Sequence, residues 1–247
     1  MNLTKDPPMP YAARMSWTDR FAFFSATDLG ALVLLTLAWL GIGFWIENSG
    51  EHRPSVSKIM ARYRMAWMHQ MVTRQPRIFD SQVLGNLRQS AAFFASASMI
   101  AIGGGLALLG NAEKLLGVAN DLTLENDPLI VWEIKVLVII LFLSNGFLKF
   151  VWSLRLFGYC AVLMAAVPND VDDPAAYPLA AQAGRINITA ARSFNRGLRS
   201  VYFALCSLAW IMGPEALIGA TVFTFVVLWR REFASESRGV LLQNSEV

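Results

Sequence analysis

The sequence predicts an all-α fold, a four-span transmembrane helical bundle with cytoplasmic amphipathic or interfacial helices. Three observations lead to this prediction. Hydrophobic residues make up 55% of the 247 residues and charged residues only 16%, and the mean hydropathy of +0.44 is far above that of soluble proteins. Four apolar stretches are long enough to cross a bilayer. None of them alternates apolar with polar residues, so helices are favoured over a barrel.

The predicted spans cover residues 26–46, 90–110, 129–150 and 201–229. They form one integral membrane domain over residues 1–247, and we expect no separate soluble domain. The first span is rich in Ala, Leu and aromatic residues, without an alternating pattern. These lengths match the ~20 residues that a helix needs to cross the hydrocarbon core.

An amphipathic helix is predicted near residues 55–75, in the loop after the first span. Its apolar side carries Val56, Met60, Tyr63, Trp67 and Met71, and Lys58, Arg62 and His69 lie opposite, until Pro76 ends the pattern. The favoured interpretation places this helix in the interface of the inner leaflet. The alternative packs it on the cytoplasmic ends of neighbouring subunits.

The second span carries a row of small residues, Ala97, Ala101 and Gly105, spaced four apart. Small residues at this spacing let two helix backbones approach closely. Packing within the chain is favoured over packing between copies.

The third apolar run extends to Val167, but Lys149 and Arg155 interrupt it. We therefore expect a span to residue 150 followed by an interfacial helix, with both cations reaching lipid phosphates. The residues expected at headgroups or the interface are Lys58, Arg62, Trp67, Lys149, Arg155 and Arg199. A further cytoplasmic helix is expected near residues 177–200, its arginines facing headgroups or solvent. A phosphate or nucleotide site at Arg185, Arg192 and Arg196 is the less favoured alternative.

The fourth span contains a helix breaker at its centre, in the stretch "WIMGPEAL". From Val201 to Trp229 a straight helix would be longer than the hydrocarbon core, since 29 residues rise about 43 Å. Pro214 lacks the N–H that would bond to the carbonyl four residues before it. We expect a kink at Gly213 and Pro214 that absorbs the excess length.

The loop charges predict the orientation of the spans. The first and third loops are rich in Arg and Lys, whereas the second, "NAEKLLGVANDLTLENDP", holds only Lys114 against four acids. The positive-inside rule makes the first and third loops cytoplasmic. Four spans then place both termini outside, although basic residues near each end oppose this: Lys5, Arg14, Arg20, Arg230, Arg231 and Arg238. The anionic headgroups of the bilayer are the expected partner of these cations, and no nucleic acid is expected.

Glu133, Lys135 and Glu215 are the ionisable groups within the spans that are the best candidates for a pathway or a buried ion pair. A charge at the bilayer centre costs roughly 2.5–3.5 kcal/mol on insertion scales, so each needs a partner. Counting residues from opposite membrane surfaces puts Lys135 and Glu215 at similar depth. We expect them to form an ion pair that fixes helix register, with an ion or proton site as the alternative.

The chain resembles a family through several phrases: "RMAWMHQM", "NLRQSAAFF", Lys135, "WSLRLFGY" and "FNRGLRSVYFALCSLAWIMGP". The family is a bacterial and plant one of multi-span integral membrane proteins with a domain of unknown function. The resemblance covers most of the chain and implies the multi-span architecture without an activity. In the family an apolar residue usually follows the Gly-Pro pair, whereas Glu215 follows it here.

No catalytic motif is visible, and we expect neither enzyme activity nor a cofactor. The two histidines, His52 and His69, lack nearby Cys or carboxylate partners, so no metal site is expected. The first functional hypothesis is a homo-oligomeric channel or transporter for an ion or small solute in a bacterial inner (cytoplasmic) membrane. The alternative is an accessory or scaffold subunit of a larger membrane complex.

Overall fold

The computed structural model describes residues 23–111, 114, 117 and 128–243, and the regular secondary structure in this part of the chain is entirely helical. The helices are α1 (Ala26–Glu47), α2 (Val56–Met71), α3 (Ile78–Leu109), α4 (Leu129–Ala166), α5 (Ala176–Ser207), a 3-10 helix (Leu208–Met212), α6 (Pro214–Phe233) and α7 (Glu236–Leu242). The basic residues of the N-terminal region and most of the second loop lie outside the described residues. The predictions that concern them stay predictions.

Three helices, α1, α3 and α4, are long and apolar enough to cross a membrane. Helix α1 begins with a capping box, in which Ser25 and Asp28 bond to each other's backbone N–H, both at 3.1 Å. Its 22 residues rise about 33 Å, close to the thickness of the hydrocarbon core. The first three predicted spans therefore fall within helices of the right kind.

Helices α3 and α4 are much longer than predicted. Their 32 and 38 residues rise about 48 and 57 Å, against a core of about 30 Å. The interfacial helix expected after residue 150 is wrong, because α4 continues unbroken through Lys149 and Arg155. Isolated Lys and Arg residues do not break a helix, because both are good helix formers. Their charge affects only whether the helix lies in lipid or in water.

The exposed surface changes character along these long helices. After the exposed Ile78 and Phe79 at its start, the exposed residues of α3 from Ser81 to Ser90 are polar apart from Gly85, and from Phe93 onward they are apolar apart from Ser96. Helix α5 changes in the same way, from exposed Arg192 and Arg196 to exposed Leu205 and Leu208. Since lipid-facing surface is apolar and water-facing surface is polar, this change is the one expected of a helix that leaves a membrane part-way along its length.

Two hydrophobic cores match these two levels. One core joins α1, α6, the first half of α4 and the end of α5, around Leu35, Ile42, Phe203 and Trp210. The other joins α2, the start of α3, the second half of α4 and the start of α5, around Met68, Leu84, Phe157 and Ala183. The chain thus has a second packed layer, which contains the predicted amphipathic helix.

The amphipathic helix is present as α2, and it buries only part of the predicted face: Met71 is buried, and Val56, Tyr63 and Trp67 are half-buried. Its buried residues are Ile59, Met68 and Met71, and Met60 is exposed. Helix α2 packs on α5 of the same chain, which supplies the apolar surface expected from the membrane or a neighbouring subunit. The buried face of α2 is turned by one residue from the predicted face. Sequence spacing did not separate the two, because both faces carry several apolar side chains.

Residues 201–229 were predicted to form the fourth span as one kinked helix, and this prediction is wrong. Helix α5 ends in the 3-10 turn, Gly213 takes a φ of 115°, and Pro214 is the first residue of α6. Cys206 Sγ lies 3.5 Å from Thr221 Oγ1 across the turn, so the chain reverses and runs back. Proline at the first helical position loses nothing, since that N–H has no intrahelical partner.

Neighbouring contacts fix which ends lie together. Trp210 Nε1 donates to Asp28 at 2.7 Å, at the start of α1, whereas Trp229 at the end of α6 lies 6.5 Å from Trp45 between ring centroids. Helix α6 therefore returns to the end of α1 that carries the first loop. Tyr63 in α2 donates to the Leu241 carbonyl at 3.3 Å, so the C-terminal helix lies on the side of the first loop and not on the opposite side as expected.

Candidate functional site

The buried Lys135 lies at the end of the bundle where α1 begins. Its side chain is 5% exposed, and its Nζ lies 4.5 Å from the ring centroid of Trp132 and 5.9 Å from that of Trp210. Electron-rich indole faces attract a cation. The Asp28 carboxylate is within electrostatic range of the ammonium, and it accepts the Trp210 hydrogen bond. This cluster ties α1, α4 and the end of α5 together.

Glu215 does not form the expected ion pair. The side chain is exposed in the first turn of α6, and the described residues show no ion pair between it and Lys135 within 4 Å. The prediction assumed one long helix with Glu215 deep inside it. The chain reverses at Gly213, at the end of the bundle. Glu215 therefore lies in the first turn of α6, where the helix dipole favours an acid. Glu133 is half-buried in α4, and its role stays a prediction.

Several residues predicted to lie at headgroups have protein partners instead. Lys58 Nζ and Arg62 Nη2 lie 3.2 and 3.3 Å from the Glu51 carboxylate, and the Lys58 hydrogen bond and charge lower the pKa of Glu51. Trp67 Nε1 donates to the buried Asp80 at 2.7 Å. These contacts hold the first loop and α2 in place and do not exclude lipid around them.

The two cations of the third run differ from each other. The exposed Arg155 donates to Tyr159 OH at 2.7 Å, in the second half of α4. Lys149 is half-buried, and its carbonyl accepts from Ser193 Oγ at 2.9 Å. Headgroup contact for these two stays a prediction.

The row of small residues divides between two surroundings. A Cβ on Gly105 would meet Ile140 at 2.9 Å, so Gly105 packs closely against α4. Ala97 and Ala101 are exposed, and the buried small residues of α3 are instead Ala91, Ala95 and Ser98. Gly105 therefore has the predicted packing role. For the two alanines, the prediction of packing within the chain is wrong.

A basic cavity lies where the ends of α1 and α6 meet α2 and the middle of α5. Its volume is about 370 Å³. The charged side chains that line it are five cations and two carboxylates: Lys58, Arg64, Arg192, Arg199, Arg231, Glu47 and Glu232. We call this the basic cavity. Sequence reasoning missed it as a site, because its residues come from four helices.

Glu47 holds one side of the basic cavity. Its carboxylate accepts from Arg196 Nε at 2.9 Å and from Arg199 Nη2 at 2.5 Å. Arg199 is 7% exposed, so its charge needs this acid. The pair also joins the end of α1 to α5. Arg199, predicted to lie at headgroups, is therefore held inside the protein.

Arg64 enters the basic cavity from α2 with only a neutral partner. It donates from Nη1 to Oδ1 of Asn187, which is fully buried. Burial lowers the pKa of the Arg64 guanidinium, because a charged group loses its hydration there. A guanidinium keeps its charge even so, which leaves a desolvated cation facing the cavity.

The second acid of the cavity, Glu232, bonds to the start of α2. Its two carboxylate oxygens accept from Ser57 N at 3.0 Å and from Ser57 Oγ at 3.2 Å. A carboxylate at a helix N-terminus satisfies free N–H groups and the helix dipole. Among the described residues it forms no ion pair with an arginine.

The charges of the basic cavity are therefore unbalanced. Lys58 pairs with Glu51 and Arg199 with Glu47, whereas the partner of Arg231 among the described residues is Tyr202 OH, at 2.9 Å. Within the described part of the chain, no carboxylate lies within 4 Å of Arg64, Arg192 or Arg231. Guanidinium groups bind phosphate and carboxylate oxygens through paired N–H donors. The arrangement is suited to binding an anion.

The chain belongs to a family described as a protein of unknown function, DUF599. The family model matches residues 30–237, which includes every residue that lines the basic cavity. This confirms the resemblance to a family of unknown function, and its bacterial and plant distribution stays a prediction. No curated protein and no solved structure matches the chain.

Proposed function

We propose that this protein is an integral membrane protein that binds an anionic ligand in the basic cavity. The observation that carries the proposal is the set of three arginines, Arg64, Arg192 and Arg231, that face one cavity without an ion pair. Arg64 is half-buried, whereas Arg192 and Arg231 are exposed. Burial removes hydration from the Arg64 guanidinium, and an anionic partner would replace it. The cavity volume of about 370 Å³ falls within the range of small-ligand sites.

We also propose five membrane crossings instead of four. They are α1, the part of α3 from residue 93, the part of α4 up to residue 150, the segment 196–212, and α6. At 1.5 Å per residue these measure between about 25 and 33 Å, close to the hydrocarbon thickness. Contacts support a common boundary, since Phe94 stacks on Phe150 with centroids 5.4 Å apart, and Arg196 bonds to Glu47 at the end of α1.

An odd number of crossings puts the two termini on opposite sides of the membrane. The basic residues Arg230, Arg231 and Arg238, which opposed the four-span orientation, then lie on the side of the basic first loop. The positive-inside rule makes this side the cytoplasm. Reporter fusions active only in the cytoplasm test it: the C-terminal fusion should be active and the N-terminal one inactive. Equal activity at both ends would overturn the five crossings.

Binding of inorganic phosphate to the purified protein tests the anion site. Arg192→Gln should weaken phosphate binding by about tenfold, since one charge-assisted hydrogen bond contributes about 1.5 kcal/mol. Arg185→Gln is the matched control, because Arg185 is exposed on the same helix two turns earlier and does not line the cavity. Calorimetry with no difference between the two variants would contradict the proposal.

The channel or transporter role, the scaffold role and the homo-oligomer stay predictions. The two exposed alanines of α3, Ala97 and Ala101, leave a surface where a second copy would fit. Mass measurement of the solubilised protein, followed by an ion-flux assay in liposomes, separates these roles. A monomer without flux would remove the channel hypothesis and leave the binding proposal unaffected.

A further inference from the structure

We propose that the occupant of the basic cavity is the headgroup of an anionic glycerophospholipid from the cytoplasmic leaflet. The inference rests on the anion binding proposed above, and it names where the anion comes from. A phosphate on a lipid and a free phosphate share the same chemistry. Three further features of the cavity favour the lipid.

The first feature is the depth of the cavity. Glu47 ends α1, and Arg231 and Glu232 lie in the last turn of α6, so the cavity lies at the boundary of two proposed membrane crossings. Phospholipid phosphates occupy this level in a bilayer. A lipid in the leaflet reaches the cavity without leaving the membrane.

The second feature is an aromatic cluster at the same level. Trp45 lies 6.5 Å from Trp229 and 6.0 Å from Phe233 between ring centroids, and the Arg53 guanidinium lies 5.2 Å from the Trp229 ring. Tryptophan beside arginine is typical of the membrane–water interface. Phe44, next to Trp45, is 73% exposed, which on a membrane crossing means contact with acyl chains.

The third feature is the mixed lining of the cavity. Beside the cations it is lined by apolar side chains, namely Ile46, Val56, Met60, Ala61, Ile188 and Ala191. A free phosphate would leave this apolar surface facing water. A glycerophospholipid covers it with its glycerol backbone and the first methylenes of its chains, at roughly 0.8 kcal/mol for each methylene buried.

The three arginines reach the headgroup from different helices. Arg64 lies on α2, Arg192 on α5 and Arg231 on α6. A phosphodiester has two charged oxygens, and a guanidinium donates to such oxygens in pairs. Bound lipid would therefore contact three helices at once, in addition to the hydrogen bonds that already join them.

Native mass spectrometry of the detergent-purified protein tests the inference. The probes are phosphatidylglycerol, phosphatidylcholine and soluble glycerol 3-phosphate. The cavity variant is Arg192→Gln with Arg231→Gln, and the matched control is Arg155→Gln with Arg185→Gln, which removes the same charge from exposed positions outside the cavity. Arg64→Gln is a third variant, kept separate because Arg64 also holds Asn187.

We expect phosphatidylglycerol to bind at least tenfold more tightly than phosphatidylcholine and glycerol 3-phosphate. The cavity variant should lose about tenfold or more of this affinity, and the control should stay within about twofold. Equal binding of phosphatidylglycerol and glycerol 3-phosphate would overturn the lipid inference and leave anion binding intact. Equal losses in the cavity variant and the control would overturn the lipid site, and no anion binding at all would overturn the proposed function too.

Discussion

Replacing Gly213 by alanine should destabilise the protein, because the chain reverses there. Gly213 has φ 115° and ψ 167°, a backbone region that is essentially restricted to glycine. Holding another residue in such a region costs about 1–3 kcal/mol. The cost is one of backbone conformation and not of crowding, since the nearest atom to an added Cβ is Glu215 Oε2 at 3.5 Å.

Gly219→Ala is the control for this substitution. Gly219 is exposed within α6, and nothing lies within 4 Å of an added Cβ. Alanine should stabilise this helix by about 0.5–1 kcal/mol. The two variants should therefore differ by about 1.5–4 kcal/mol in unfolding free energy, measured by thermal unfolding in detergent.

The opposite ranking would refute the reversal. If residues 201–229 formed one kinked helix, Gly213 would have helical dihedrals. Alanine would then stabilise both positions to a similar extent. A melting temperature of Gly213→Ala at or above that of the unmodified protein would contradict the hairpin, whatever happens at Gly219.

Three further predictions concern packing and charge. Gly197→Ala should lower the free energy of unfolding by about 1–2 kcal/mol, measured by thermal unfolding, since its Cβ would lie 2.6 Å from the buried Phe150 ring. Gly184→Ala should be nearly neutral, because the flexible Met65 side chain moves aside. Equal effects of the two substitutions would contradict this. Glu47→Gln should destabilise by about 2–3 kcal/mol by leaving buried Arg199 without its acid, and an unchanged melting temperature would count against the pair. Lys58→Gln should raise the pKa of Glu51 towards its ordinary value, measured by NMR titration; in the unmodified protein this contact stabilises above the ordinary carboxyl pKa and is lost as the pH falls through the lowered one. An unaltered pKa would exclude the contact in solution.

Local patterns predicted the helices well. The apolar run of α1 and the periodic side chains of α2 depend on neighbours along the chain, so composition and spacing were sufficient. The end of α4 was predicted wrongly because Lys149 and Arg155 were expected to end the helix, whereas it continues to Ala166. At Gly213 the same residues fit both a kink and a turn. The contacts of Trp210 and Trp229 with opposite ends of α1 distinguish the two.

The candidate site could not be predicted in the same way. Arg64, Arg192 and Arg231 are far apart in sequence, and each taken alone suits a solvated or headgroup-facing position. The row of arginines in α5 did suggest a phosphate site as a minor alternative, and Arg192 does line the cavity. The sequence does not show that Glu47 pairs with Arg196 and Arg199. This pairing determines which arginines keep an unbalanced charge.

The most direct test of the account is an experimental structure of the protein in nanodiscs that contain phosphatidylglycerol. The account predicts a lipid phosphate in the basic cavity, in contact with Arg64, Arg192 and Arg231. The chain beyond Gly213 should run back beside α1. An empty cavity whose arginines turn to the protein's own carboxylates, with lipid ordered only elsewhere, would contradict the central claim.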